Sequence, residues 1–449
     1  MVAPLALLAA AVLLGIACTP GGTTGTHTAA PTPSATGVIG NEPVTLTVWD
    51  QETGRVSKIW DRLNAEFMEK YPNVTIRRVT KSFSDLKTSL KLAVAGPNPP
   101  DVVEANQGWP DMGALVRAGL LLPLDGYAEA YGWYDRVPAG VLAVNRFTPD
   151  AKEFGTGSLY GFTGMGEMIG VFYNKTKLAA LGLEKPTTFA EFEHALEVAK
   201  GAGEVPIAFG NLDKFAGIHE YAAIQDVIAP KDYLTDLIFS RKGAELSFDT
   251  PWNRKAATIL REWAAKGYFT EGFNGVGYDD VVARFAGGEG VFMITGNWIV
   301  QNLGAHNRDF GFFVMPPLQA GDPPVTTGGP GFPLAISAAS EHPDVAAAYI
   351  DWMTSDHAGQ MLIPTGQLPL YIGADTSGID PESVLGELLA EADRVSRADG
   401  LVPYLDWATP TFYDTTTAAI QELMGLKIGV DGFVKDIDAD YAAFQASRT

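Results

Sequence analysis

Two polar pairs stand where strand ends could give them chemistry. Asp50 and Glu52 close the alternating run Val44–Thr45–Leu46–Thr47–Val48, and Glu104 and Asn106 close the run from Asp101 to Ala105, with Gln107 and Trp109 behind them. Residues two apart on an extended path share a side. Each pair could therefore accept hydrogen bonds from a hydroxyl-rich guest, and Asp50 with Glu52, as paired carboxylates, could flank a scissile glycosidic bond. Asn211 and Asp213 follow the run Pro206–Gly210 and offer the same equipment. Other chemistries have no residues to stand on. There is no G-x-x-x-x-G-K-[ST] loop and no G-x-S-x-G elbow, and Gly164, Gly166 and Gly170 lack the spacing of a dinucleotide loop. The 6 His residues never fall at i, i+4, the single Cys excludes an intrachain disulfide or a Cys-rich metal framework, and no oxygen-ligand loop suits calcium. No cofactor or metal is expected.

These pairs need strands to carry them. Val56, Ile59, Leu63, Phe67 and Tyr71 recur at spacings of three or four, which predicts an amphipathic helix over Arg55–Tyr71. Pro72–Asn73 stops it, Val74, Ile76 and Val79 predict a second strand, Ser84–Ala95 a second helix, and Asp101–Ala105 a third strand. Further on, Phe189–Lys200 and Asn253–Lys266 read as helices, Val291–Thr295 and Phe310–Met315 as strands. Strands alternating with helices predict an α/β fold with a largely parallel sheet. The periodicities Tyr221–Ile224–Ile228 and Ala347–Ile350–Met353 read as core, and Phe83, Trp133 and Tyr134 take no role.

At 449 residues the chain is long for one domain, and 46% hydrophobic content fits a globular body. Its formal charge of −21 repels polyphosphate and argues against nucleic acid as a partner. The apolar run Leu5–Ala17 is too short to span a bilayer but suits a signal peptide. Ala17–Cys18 resembles a bacterial lipobox, whose thiol receives a diacylglyceryl group. Residues 1–18 therefore read as a leader ending at a lipidated Cys18. Residues 19–40, uncharged and rich in Thr, Gly, Ala, Pro and Ser, read as a flexible tether.

Six segments, in order, carry a family likeness: K-Y-P-N-V (70–74), P-P-D-V-V-E-A-N (99–106), L-Y-G-F-T-G-M-G-E-M-I-G-V-F-Y-N-K (159–175), P-I-A-F-G-N (206–211), G-E-G-V-F-M-I-T-G-N-W (288–298) and G-G-P-G-F-P-L-A-I (328–336). Together they resemble extracellular solute-binding protein family 1, the maltose-binding-protein-like lipoproteins of ABC importers. The resemblance implies a two-lobed periplasmic-binding-protein-like fold of type II, hinged, with lobe 1 at 41–165 plus 334–375 and lobe 2 at 166–333 plus 376–449. It implies a neutral di- or oligosaccharide in the cleft, Glu167 as a hinge-proximal acceptor, Trp298 as a stacking platform and Trp407 as a late aromatic reaching the same cleft. Phe332 would stack from the opposing side, and Gly328 and Gly329 would let backbone N–H groups approach a hydroxyl. The implied partner is an ABC permease, the implied state a lipid-anchored monomer on the outer face of the cell membrane, and no catalysis is implied. Two alternatives stay open: a secreted glycoside hydrolase, and a surface sugar sensor or adhesin on the same fold.

Overall fold

The computed structural model describes residues 39–138, 140–241, 246–370 and 374–448. The leader, Cys18 and the tether up to residue 38 lie outside the described residues. The chain opens with β1 (Val44–Asp50), whose Leu46, Val48 and Asp50 point inward. Helix α1 (Gly54–Lys70) buries Val56, Trp60, Leu63 and Phe67 on one face, the stripe that three-and-four spacing dictates. Strand β2 (Val74–Thr80) then runs parallel to β1, Val44 opposite Val74 and Asp50 opposite Thr80. Helix α2 (Phe83–Val94) starts at Ser82, whose hydroxyl accepts the Asp85 N–H. Strand β3 (Val102–Glu104) completes a parallel trio, Val48 opposite Val102.

After the small hairpin β4 (Arg146–Phe147) and β5 (Ser158–Leu159), the chain enters a second sheet through β6 (Met165–Asn174). There β6 pairs with β7 (Phe292–Gly296), β8 (Phe310–Phe313) and β9 (Thr326–Pro330). Strand β10 (Leu334–Ile336) returns to the first sheet, antiparallel to β3, giving the order β10-β3-β1-β2. Strand β11 (Leu368–Pro369) pairs with the start of β6, and β12 (Leu401–Val402) runs parallel to β9. The segment 334–375 thus begins on the first sheet and ends with a strand bonded to the second.

The expectation of a largely parallel sheet holds for the first sheet and fails for the second. All four partners of β6 run antiparallel to it. The reason is that β6 is a central strand with nearly every side chain buried, so it carries no alternation that would announce its pairing. Close packing fixes its register: a Cβ on Gly170 would stand 2.2 Å from the Phe312 ring. Tyr221, Ile224, Ala347, Ile350 and Met353 are core, as their spacing predicts, and Ile228 is packed against that core. Trp133 is core as well, stacked on Phe162 at 4.7 Å.

Candidate functional site

The carboxyl ends of β1 and β3 open on a crevice between the two sheets. The β1 end is held by one guanidinium. Arg78 donates from Nε and Nη2 to the two oxygens of Asp50, each at 2.7 Å, from Nη1 to Ser57 and Asp61, and from Nη2 to the Glu52 carbonyl at 2.9 Å. Asp50 is fully buried and its acceptors face Arg78, so it supports the loop rather than the crevice. Its Oδ1 also takes the Glu52 N–H, and the Gln51 N–H donates to Glu104 Oε2 at 2.8 Å. These bonds bring Glu52 and Glu104 together at the edge of a cavity of about 360 Å³.

The second sheet supplies the other wall. Glu167 sits on β6 opposite Gly329. Trp298 follows β7, its indole folded over Gly296, where a Cβ would meet it at 2.0 Å. The indole N–H donates to the Tyr278 hydroxyl at 2.7 Å, and that hydroxyl is 2.7 Å from Thr295 Oγ1. The ring is half-buried, its orientation fixed by Tyr278, which Thr295 holds in turn, and this suits a stacking surface. Phe332 touches Phe83 at 5.9 Å, and Phe83 touches Phe215 at 5.5 Å, so an aromatic row crosses from one wall to the other. Trp407 stacks obliquely on Tyr404 at 5.0 Å.

Of the residues singled out in the sequence, Glu52, Glu104, Asn106, Glu167, Asp213, Trp298, Phe332 and Trp407 line the cavity. Six do not, each for a stated reason. Asp50 is spent on Arg78. Gln107 is buried and donates to the Pro330 and Gly331 carbonyls, both at 3.0 Å, pinning the turn between β9 and β10. Trp109 is core, its ring against Phe147, Phe154 and Phe444. Asn211 is buried, accepting the Gly217 N–H and donating to Asn274. Gly328 is small because a Cβ would press the Glu167 carbonyl at 2.5 Å, a matter of strand packing, and Gly329 pairs with Glu167 in the ladder. Sequence reasoning passed over Phe83, Phe215, His219, Tyr278, Gln301, Tyr404 and Asp406, all on the cavity wall. Tyr404 and Asp406 both precede Trp407 in the segment Pro403–Trp407, close enough in sequence to have been named with it.

The electrostatics are one-sided. Glu52, Glu104, Glu167, Asp213, Asp279 and Asp406 line the cavity, with no Lys or Arg among its described lining residues. Burial, then the neighbouring Asp50 charge, raises Glu52 to about 7. Burial, then Glu52 and Asp50, raises Glu104 well above the ordinary carboxyl range. Burial lifts Glu167 to about 8 and Asp406 to about 6, and it lowers His219 to about 3, so that imidazole is neutral. The His219 Nδ1 is buried without a partner, beside Trp298 at 5.5 Å between ring centroids. Protonated carboxyls both donate and accept, which matches hydroxyl groups that do the same. Among the described residues no group of three or more His, Cys, Asp or Glu could hold a metal ion.

Residues 50–360 match the family model for bacterial extracellular solute-binding proteins. The chain belongs to that family. A relative, the multiple sugar-binding protein of Streptococcus mutans, is 24% identical over 356 residues, covering 75% of this chain and 81% of its own. A solved structure concerned with xylan utilization by Caldanaerobius polysaccharolyticus superposes with a TM-score of 0.78 at 24% identity, covering 88% of this chain and 99% of that one. The Listeria monocytogenes ABC substrate-binding protein in complex with cycloalternan gives 0.70 at 17%, covering 90% and 100%. These likenesses establish the two-lobed, type II periplasmic-binding-protein-like fold for this solute-binding protein. Among the described residues no helix is long and apolar enough to cross a membrane.

Proposed function

We propose that this solute-binding protein captures an uncharged di- or oligosaccharide between its lobes and delivers it unaltered to an ABC import permease. The observation that carries this reading is the crevice itself, where Glu52, Glu104 and Glu167 line one cavity with Trp298, Phe332 and Trp407 and no Lys or Arg stands among the described lining residues. Carboxyls suit the hydroxyl edge of a sugar, aromatic planes suit its C–H faces, and a described lining without Lys or Arg offers an anion no counter-charge. The Streptococcus relative, named for binding multiple sugars, and the Listeria complex with cycloalternan support it. Lobe 1 is proposed as 41–165 plus 334–375 and lobe 2 as 166–333 plus 376–449, with β11 marking the return crossing. A guest that touches both lobes only when they close would shift the population toward the closed form. Lipidation of Cys18 would hold a monomer at the outer face of the cell membrane, within reach of its permease.

The test is a thermal-shift screen against neutral sugars, followed by analysis of the sugar recovered. A ligand at one hundred times its dissociation constant adds about 2.7 kcal/mol. The reading expects at least one sugar to raise the melting temperature and to be recovered intact. No shift with any sugar at millimolar concentration refutes capture, and recovery of cleaved product makes the protein a hydrolase.

A further inference from the structure

The crevice is divided in two. Beside the cavity of about 360 Å³ lies a second of about 390 Å³, where Arg55, Lys58, Val282 and Asn302 form the wall. Thr53, Tyr278, Asp279, Trp298 and Gln301 line both, so the partition stands among them. The two spaces differ in character: the inner has no lining Lys or Arg, the outer has both.

The side chain that reaches across is Gln301. It lies on the short helix Val300–Leu303 just after Trp298, while its Oε1 accepts the Arg55 N–H at 2.9 Å, with the Val56 N–H at 3.5 Å. A helix leaves its first N–H groups without partners, and Thr53, at the N-cap of α1, makes no side-chain cap bond. Gln301 therefore serves as the cap of α1 from the opposite wall. The contact depends on Gly54, which has φ of +62° and at which a Cβ would stand 2.7 Å from Gln301 Oε1. An L side chain there would be strained and would push the amide away.

We propose that Gln301 is a chain-length gate: docked on the start of α1, it ends the inner cavity at the edge of Trp298 and confines the guest to the few sugar units that fit there. Undocked, it joins the two spaces and admits a longer chain. The proposal rests on the carbohydrate reading above and adds a specificity-determining residue to it.

Calorimetric titration with malto-, cello-, xylo- and chito-oligosaccharides of two to six units tests it. In the parent protein, affinity within whichever series binds is expected to fall at least tenfold from the best-bound member to members two or more units longer. Gln301→Ala is expected to bring those longer members within threefold of the best. Gln301→Glu keeps an acceptor for the same amides and is expected to keep the limit, while Gly54→Ala, which displaces Gln301 without altering it, is expected to follow Gln301→Ala. Hexamers bound by the parent as tightly as shorter members overturn the gate. So does a Gln301→Ala effect that is the same factor at every length, the mark of a simple lobe-to-lobe latch. Failure of every series at every length, together with no shift for any sugar in the thermal screen, overturns the carbohydrate reading itself, which separates the two failures.

Discussion

Arg78 is where the site is most exposed to a single substitution. Its guanidinium forms a bidentate pair with a fully buried carboxylate, two bonds of 2.7 Å to Asp50, and also fixes the Glu52 carbonyl. Three acidic groups, Asp50, Glu52 and Glu104, act on one another there, and Arg78 is the cation that offsets them. Removing one member of a buried, hydrogen-bonded pair costs about 3–5 kcal/mol, because the other charge is left buried and unpaired. The bond to the two-thirds-exposed Asp61 adds about 0–1 kcal/mol. Arg78→Met should therefore lower the unfolding free energy of the lobe that carries it by about 3–5 kcal/mol. Arg78→Lys should recover only part, since an ammonium cannot reproduce the fork. Adding Asp50→Asn to Arg78→Met should recover stability, because the uncompensated charge is then gone. Urea unfolding followed by circular dichroism reads all three, as shifts in midpoint at constant slope. The reasoning is refuted if Arg78→Met lies within 1 kcal/mol of the parent, or if the double variant is no more stable than Arg78→Met alone.

Three further outcomes are expected. Trp298→Ala should weaken sugar binding by about 1–3 kcal/mol, the scale of lost aromatic burial, and an unchanged calorimetric Kd removes the ring from the site. Trp109→Ala should cost about 3–5 kcal/mol of stability yet leave the Kd of the folded protein within threefold; a large loss of affinity with intact stability would restore Trp109 to the cleft. Glu167 is raised from 4.5 to about 8 by burial, so between those pH values the native state keeps a proton that the unfolded chain has released. Its contribution to stability therefore falls as pH rises, by up to about 1.4 kcal/mol per pH unit. Melting of the sugar-free protein from pH 5 to pH 8 should show a decline that Glu167→Gln makes shallower, and parallel profiles would contradict this origin.

The first sheet was legible because its strands alternate and its helices keep a stripe: the reading Arg55–Tyr71 lies one residue from the observed Gly54–Lys70. The second sheet was not, because β6 buries almost every side chain and a strand without alternation says nothing about its partners. The site divides on similar lines. Glu52 and Glu104 follow strands and line the cavity, and the family motifs led to Glu167 and Trp298. Asp50, Gln107 and Asn211 have the same local signature, yet each satisfies buried neighbours instead. A polar residue past a strand looks the same in sequence whether it bonds to a guest or to its own backbone. Phe83, Tyr278 and Gln301 belong to helices or their starts, where an aromatic or amide at helical spacing reads as packing or as surface.

A crystal structure of the protein with a bound sugar bears most directly on the central claim. It should show the sugar between the two sheets, one ring face on Trp298 and hydroxyls within hydrogen-bond distance of Glu52, Glu104 or Glu167. A sugar seated elsewhere, with that crevice holding only water, would contradict it.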